Sequence, residues 1–339
     1  MAPSKDPIDL LQVPNQLSQT QVWVSGGAVR FTDRALRCRL DGHSGPVNVV
    51  RYNHGAKYCL SGSTDRSIRL WNPSTGKEIK CYSGHGHEVL ALDIAHDNAK
   101  FASCGGDKLV FVWDVASGTV IRRLQGHFGK IHAVAFNKDS SVLASGSFDA
   151  KVMLWDMRAI SKTPIQTLTE ATNSITTLTI PTTLPEIITG SSDGHIRSYD
   201  LRMGKMTEDL VGAAISSITP SPTSPKDTLL VSSLDGNIRI FDRSNGQVLQ
   251  TFAGHTATTV RSKSTFNYGE GVVLSGDEGG RLWSWNVLDG KPLNANPEAI
   301  HKKAITSVES HPSGNELLTS STDGTIKVWC RPKSSTEVA

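Results

Sequence analysis

The chain of 339 residues is 37% apolar, 6% aromatic and 20% charged, with 30 glycines. Thirty-five Lys and Arg stand against 32 Asp and Glu, a formal charge of +3. That balance excludes the basic footprint of a dedicated nucleic-acid binder and the polybasic signal of a membrane anchor. No apolar run approaches the roughly 18 residues of a membrane helix. The five cysteines (Cys38, Cys59, Cys81, Cys104, Cys330) include no CxxC pair, so a reducing compartment is expected.

In chain order, residues 1–22 carry Lys5, Asp6 and Asp9 and no apolar core, which predicts a flexible tail and no secretory signal. A single domain is expected over 23–330, with Gln21 to Thr32 left open, and 331–339 reads as a second tail. Ala35 to Leu40 alternates like an outer strand. It is followed by Gly42-His43, and the pair returns as Gly84-His85, Gly126-His127 and Gly254-His255. An aromatic closes each unit: Trp71, Trp113, Trp155, Tyr199, Phe241, Trp285 and Trp329, at steps of 42, 42, 44, 42, 44 and 44. An Asp precedes most of these rings by six residues. A repeat of about 40–45 residues with this signature predicts four strands per blade. The fold expected is therefore all-β: a seven-bladed WD40-type β-propeller. The last unit ends without an outer strand, so Ala35 to Leu40 is expected to complete its blade and close the ring.

Four units contain a full polar set: His43, Ser61, Asp65, Trp71; His85, Ser103, Asp107, Trp113; His127, Ser145, Asp149, Trp155; and His301, Thr319, Asp323, Trp329. In kind these resemble a Ser-His-Asp triad. Four copies in one chain fit a buried hydrogen-bonded chain better than four catalytic sites, because buried polar groups must be paired. Gly190 to Gly194 matches G-x-S-x-G, but it falls in a strand–turn–strand loop and not in a strand-to-helix elbow. His85-Gly86-His87 lacks further ligands, and no P-loop is complete. No enzyme activity, cofactor or metal is expected. Three units are imperfect: Glu170-Ala171 and Gly212-Ala213 replace Gly-His, and Gly279 fills the Asp slot of the sixth. Drift is the simpler expectation; blades shaped around a partner is the other.

Function is then expected on surfaces. The loops around each His and Asp share one face of the ring. They expose Asn48, Glu88, Leu90, Lys130 and His132, together with Phe148 and Leu234, two apolar residues where solvent is expected. On the opposite face, Pro220 to Pro225 holds two Ser-Pro steps, which read as a rigid loop or as a proline-directed kinase site.

Several stretches between the signature positions carry a resemblance. Tyr82-Ser83-Gly84-His85-Gly86 with Glu88-Val89-Leu90, Gly105-Gly106-Asp107-Lys108, Trp113 to Gly118, Tyr199 to Gly204 and Leu230 to Asp235 resemble the mitogen-activated protein kinase organizer family, also called WD repeat domain-containing protein 83. The resemblance runs over roughly 40–330 and is weakest between Thr256 and Gly280. It implies a scaffold of cytoplasm and nucleus that binds kinases and adaptors of a MAP-kinase cascade and joins spliceosomal factors in pre-mRNA splicing. It implies a monomeric ring within larger complexes, with no membrane and no sequence-specific nucleic-acid contact. A competing class is the substrate receptor of a cullin-type ubiquitin ligase. Trp155-Asp156-Met157-Arg158 and Tyr199-Asp200-Leu201-Arg202 resemble the W-D-x-R box of such receptors, with Arg158 and Arg202 as the adaptor contacts.

Overall fold

The computed structural model describes residues 34–182, 185–222 and 227–331. The expected tails, apart from Arg331, and Gln21 to Thr32 lie outside the described residues, as does the second Ser-Pro step, Ser224-Pro225. Among the described residues there are 27 strands, no helix, and seven sheets arranged as the blades of a propeller.

The first strand, β1 (Ala35–Leu40), stands apart from its neighbours in sequence. Blade 1 follows as β2 (Val47–Tyr52), β3 (Cys59–Ser63), β4 (Ser67–Asn72) and β5 (Lys77–Ser83). Blade 2 is β6 (Val89–Ile94), β7 (Lys100–Gly105), β8 (Leu109–Asp114) and β9 (Val120–Gln125). Blade 3 is β10 (Ile131–Phe136), β11 (Val142–Ser147), β12 (Val152–Asp156) and β13 (Gln166–Leu168). Blade 4 is β14 (Ile175–Thr179), β15 (Glu186–Ser191), β16 (His195–Asp200) and β17 (Lys205–Leu210). Blade 5 is β18 (Ile215–Pro220), β19 (Thr228–Ser233), β20 (Ile238–Asp242) and β21 (Val248–Phe252). Each of these is an antiparallel meander, innermost strand first.

The strands follow from alternation. The middle strands are buried on both faces between neighbouring blades, so β3 and β11 read Cys-Leu-Ser-Gly-Ser and Val-Leu-Ala-Ser-Gly-Ser, with small residues where blades approach closely. The outer strands β5 and β9 have one wet face and read Lys-Glu-Ile-Lys and Val-Ile-Arg-Arg, whose charges discourage pairing with another chain. The core lies between blades: Val110, Val112 and Leu124 of blade 2 pack on Ile131, Val134 and Leu143 of blade 3.

Closure follows the sequence expectation. The last blade holds β25 (Ile305–Ser310), β26 (Glu316–Ser321) and β27 (Ile326–Cys330), and β1 is its fourth strand. The ladder runs from Ala35 opposite Cys330 to Leu40 opposite Ile326. The buried Arg34 donates to Asn267 Oδ1 at 3.1 Å and to the Gly314 carbonyl at 3.0 Å, and Arg37 pairs with Glu316. Leu40, Val47, Val50 and Trp71 then pack with Leu318, Ile326 and Val328 across the seam.

The sixth blade departs from four strands. It has β22 (Thr265–Phe266), β23 (Val272–Gly276) and β24 (Leu282–Asn286), with no outer strand. The segment that should supply one contains Pro292 and Pro297, which have no N–H for a ladder. It meets β24 through the isolated bridge of Trp285 with Pro292, and a second bridge joins Ala299 to Arg281 just before that strand. Its inner strand is short for a second reason. The Glu278 carboxylate gathers the N–H groups of Thr258, Thr259 and Val260 at 2.7, 2.6 and 3.2 Å, which bends that segment out of a strand.

Candidate functional site

The four polar sets are assembled alike. In blade 2, His85 Nδ1 lies 2.6 Å from Asp107, His85 Nε2 lies 2.7 Å from Ser103 Oγ, and Trp113 Nε1 donates to the same oxygen at 2.8 Å. The equivalent distances are 2.8, 2.8 and 2.8 Å for His43, Ser61, Asp65 and Trp71, and 3.0, 2.8 and 2.9 Å for His127, Ser145, Asp149 and Trp155. Thr319 takes the serine role with His301, Asp323 and Trp329, at 3.2, 2.8 and 3.0 Å. A carboxylate only accepts, so Nδ1–H donates to Asp, the hydroxyl donates to Nε2, and the indole N–H donates to the hydroxyl oxygen. Each serine or threonine oxygen is buried with both neighbours engaged. These groups tie the loop before the inner strand to the third strand.

Burial disfavours the charged form of three of these imidazoles. It pulls His43 and His127 below the ordinary value, against the opposing pull of Asp65 and Asp149. It takes His301 down to about 4 despite Asp323, and His255 down to about 4. Burial pushes Asp65 and Asp323 up, but hydrogen bonds from Ser67 and His43, and from Thr325 and Lys302, outweigh it and leave both at about 2. The unfolded chain therefore binds more protons than the folded one as pH falls from about 6.5, the unperturbed histidine value. The histidine contribution is complete above that value and is lost on the way down to about 4. The aspartate contribution goes below about 3.8. We expect the melting temperature to drop by about 5 °C or more between pH 7.5 and pH 5. A calorimetric melt that is flat across that range would overturn this account.

The imperfect blades solve the same problem with other residues, which the sequence reading missed. In blade 4 the buried Arg197 donates to Ser191 Oγ at 2.9 Å and pairs with Asp193 at 3.0 Å and Glu208 at 2.6 Å. In blade 5, Arg239 bonds Ser233 Oγ at 2.7 Å and Asp235 at 2.6 Å. A guanidinium on the third strand thus replaces an imidazole from the preceding loop. The signal was available: both arginines stand two residues before an aromatic that has no indole N–H. In blade 6, Asp277 accepts from Trp283 Nε1 at 2.9 Å, while His255 Nδ1 is buried without a partner because Gly279 fills the Asp slot.

The candidate docking face is built by bulges. The inner strands of blades 1 to 5 and 7 each shift register at one residue: Asn48, Leu90, His132, Thr176, Ser216 and Thr306. A bulge re-aims the extra side chain, and these six line one mouth of a central cavity of about 460 Å³. Most of their polar groups stitch the ring. Asn48 donates to the Val89 carbonyl at 2.7 Å, and Thr306 to the Val47 carbonyl at 2.6 Å. At the rim, Glu88 and Lys130 join blades 2 and 3 by an ion pair of 2.8 Å. Phe148 is 64% exposed and meets His132 edge-on. Its neighbour Phe128, which the sequence reading passed over, is 78% exposed with Lys151 over its ring. Leu234 is half-buried, and its N–H bonds the Ala214 carbonyl as the Phe148 N–H bonds that of Lys130.

The other face holds the remaining candidates. Arg158 and Arg202 follow the third strands of blades 3 and 4, and their backbone N–H groups bond Asp156 and Asp200 at 2.8 Å each. The Arg158 side chain is 75% exposed and only skirts Asp156 at 3.5 Å. Ser221, of the first Ser-Pro step, bonds the buried Glu270 at 2.7 Å.

A model of the WD domain, G-beta repeat, matches residues 34–72 and 299–330, and a model of the Nucleolar protein 10-like N-terminal domain matches residues 87–287. WD repeat domain-containing protein 83 of Xenopus tropicalis is 49% identical over 87% of this chain and 91% of its own. The Homo sapiens protein of that name is 40% identical over 86% and 90%, and the Dictyostelium discoideum homolog 37% over 86% and 96%. With seven blades, a closing strand and these matches, the chain belongs to the WD repeat domain-containing protein 83 family.

Proposed function

We propose that this propeller is a non-catalytic scaffold which docks protein members of a MAP-kinase cascade and, in the nucleus, spliceosomal factors. The observation that carries the reading is the rim of blade 3. Phe148, edge-on to His132 of the cavity lining, and Phe128 on the same blade both stand in water, and exposed aromatics are common anchors of protein interfaces. The tetrads support the absence of a catalytic step, since each hydroxyl and imidazole is buried and already engaged. The mechanism is effective concentration: partners held on one rigid ring meet more often without new chemistry.

The test is affinity purification from cytoplasmic and nuclear fractions, read by mass spectrometry. We expect kinases and adaptors from the first and splicing factors from the second. Both recoveries should fall at least about fivefold for the double variant Phe128→Ala/Phe148→Ala, the loss of roughly 1 kcal/mol or more expected of an anchor. Its melting temperature should stay within about 2 °C of wild type, because the rings are exposed. Undiminished recovery would remove these rings from the interface. Recovery of a cullin adaptor instead, lost in Arg158→Ala/Arg202→Ala, would replace the reading with the ligase one.

A further inference from the structure

The cavity mouth carries a guanidinium and an imidazole that the fold leaves unanswered. Most bulge side chains bond a neighbouring carbonyl, but His132 on blade 3 and Arg261 at the inner edge of blade 6 make no hydrogen bond or ion pair among the described residues. Both line the same cavity from blades three places apart in the ring. Arg261 is half-buried, and loss of water without a carboxylate partner pulls its pKa down. Deeper in, Arg51 Nε is buried with no partner, and Lys263 pairs with Glu309. The carboxyl of Asp93, near both cations, is held up by burial. Three basic side chains, Arg51, Arg261 and Lys263, thus stand near only two carboxylates among the described residues, Glu309 and Asp93. A desolvated, unpaired cation costs folding energy, and such costs persist where a ligand supplies the missing partner.

We propose that this mouth binds the phosphate of a phosphorylated serine or threonine on a partner peptide, gripped by Arg261 from one wall and His132 from the other. The inference rests on the reading of this face as a protein-docking surface. A phosphate brings three acceptor oxygens and nearly two negative charges at neutral pH. It matches a guanidinium fork and has an oxygen left for a second donor. A carboxylate is satisfied by the fork alone. His132 is held at about 4 by burial and by the charges of Arg261 and Lys130, against Glu88. An anion seated between the two side chains reverses that field and lets the imidazole take a proton and donate. The rings of Phe128 and Phe148 on the same blade offer apolar contact to residues flanking the phosphate.

The experiment uses the full chain on three arrays of immobilised nonapeptides with randomised flanks, centred on phosphoserine or phosphothreonine, on Ser or Thr, and on Glu. We expect at least tenfold greater retention on the phosphorylated array than on either other. Millimolar inorganic phosphate should displace the chain, and Arg261→Gln should abolish the preference. Arg261→Gln should melt no lower than wild type, since it removes a cation without a partner, so its loss of binding is not a loss of fold. Equal retention on all three arrays would overturn the proposal, as would a phosphate preference that survives Arg261→Gln. Equal retention on the Glu and phosphorylated arrays would overturn the choice of phosphate. Failure here with undiminished, Phe128- and Phe148-dependent recovery of partners from cells would leave the docking reading standing.

Discussion

A chain starting at Asp41 should fail to give a stable monomer. Without β1 the ring has no fourth strand in its last blade, and β27 presents a free edge to any other strand. Burial of Leu40 contributes about 1.5–3 kcal/mol. The two hydrogen bonds of Arg34 and the ladder bonds from Ala35 to Leu40 add about 1 kcal/mol each. Together they reach about half or more of the 5–15 kcal/mol that holds a typical domain. We expect aggregation on size-exclusion chromatography, or a melting temperature lower by about 15 °C or more. A truncated chain that elutes as a monomer and melts within about 3 °C of the full one would show that closure by β1 does not hold the ring.

The second large effect is expected at the centre of a tetrad. Ser103→Ala removes the one oxygen that serves both Trp113 Nε1, at 2.8 Å, and His85 Nε2, at 2.7 Å. Both groups are then stranded in a buried site, at about 1–3 kcal/mol each. The melting temperature should fall by about 5–10 °C. Asp107→Ala strands His85 Nδ1–H and otherwise loses only the long 3.4 Å bond from the Leu109 N–H, so it should cost about 1–3 kcal/mol, less than Ser103→Ala. The pair Ser103→Ala and Trp113→Phe should be strongly non-additive, since the second change removes a donor the first has orphaned. An unchanged melt for Ser103→Ala would refute the account of these groups as architecture.

The tetrads were legible because every member lies within one unit at a constant spacing. His, Ser, Asp and Trp sit within 28 residues of each other, and the hydrogen bonds repeat wherever the spacing repeats. The arginine replacements were less legible. Arg197 and Arg239 come from the third strand and not from the loop that carries the histidines in other blades, so an empty slot in the pattern read as drift and not as a substitution elsewhere. The docking candidates divided in the same way. Asn48, Leu90 and His132 were found as loop positions, but a register shift turns them into the cavity, where Asn48 is bound to the neighbouring blade. Leu234 looked like Phe148 in sequence but is half-buried where Phe148 is 64% exposed.

By itself the sequence determined the number of blades, the strand that seals them and the polar chain inside four of them. These depend on local alternation and on a period short enough to be read within one repeat. Tertiary structure alone decided that blade 6 lacks an outer strand, that six bulges share one mouth, and that Arg261 stands unanswered beside His132. Those facts arise where distant blades face a common axis, and spacing along a chain carries no information about what meets there.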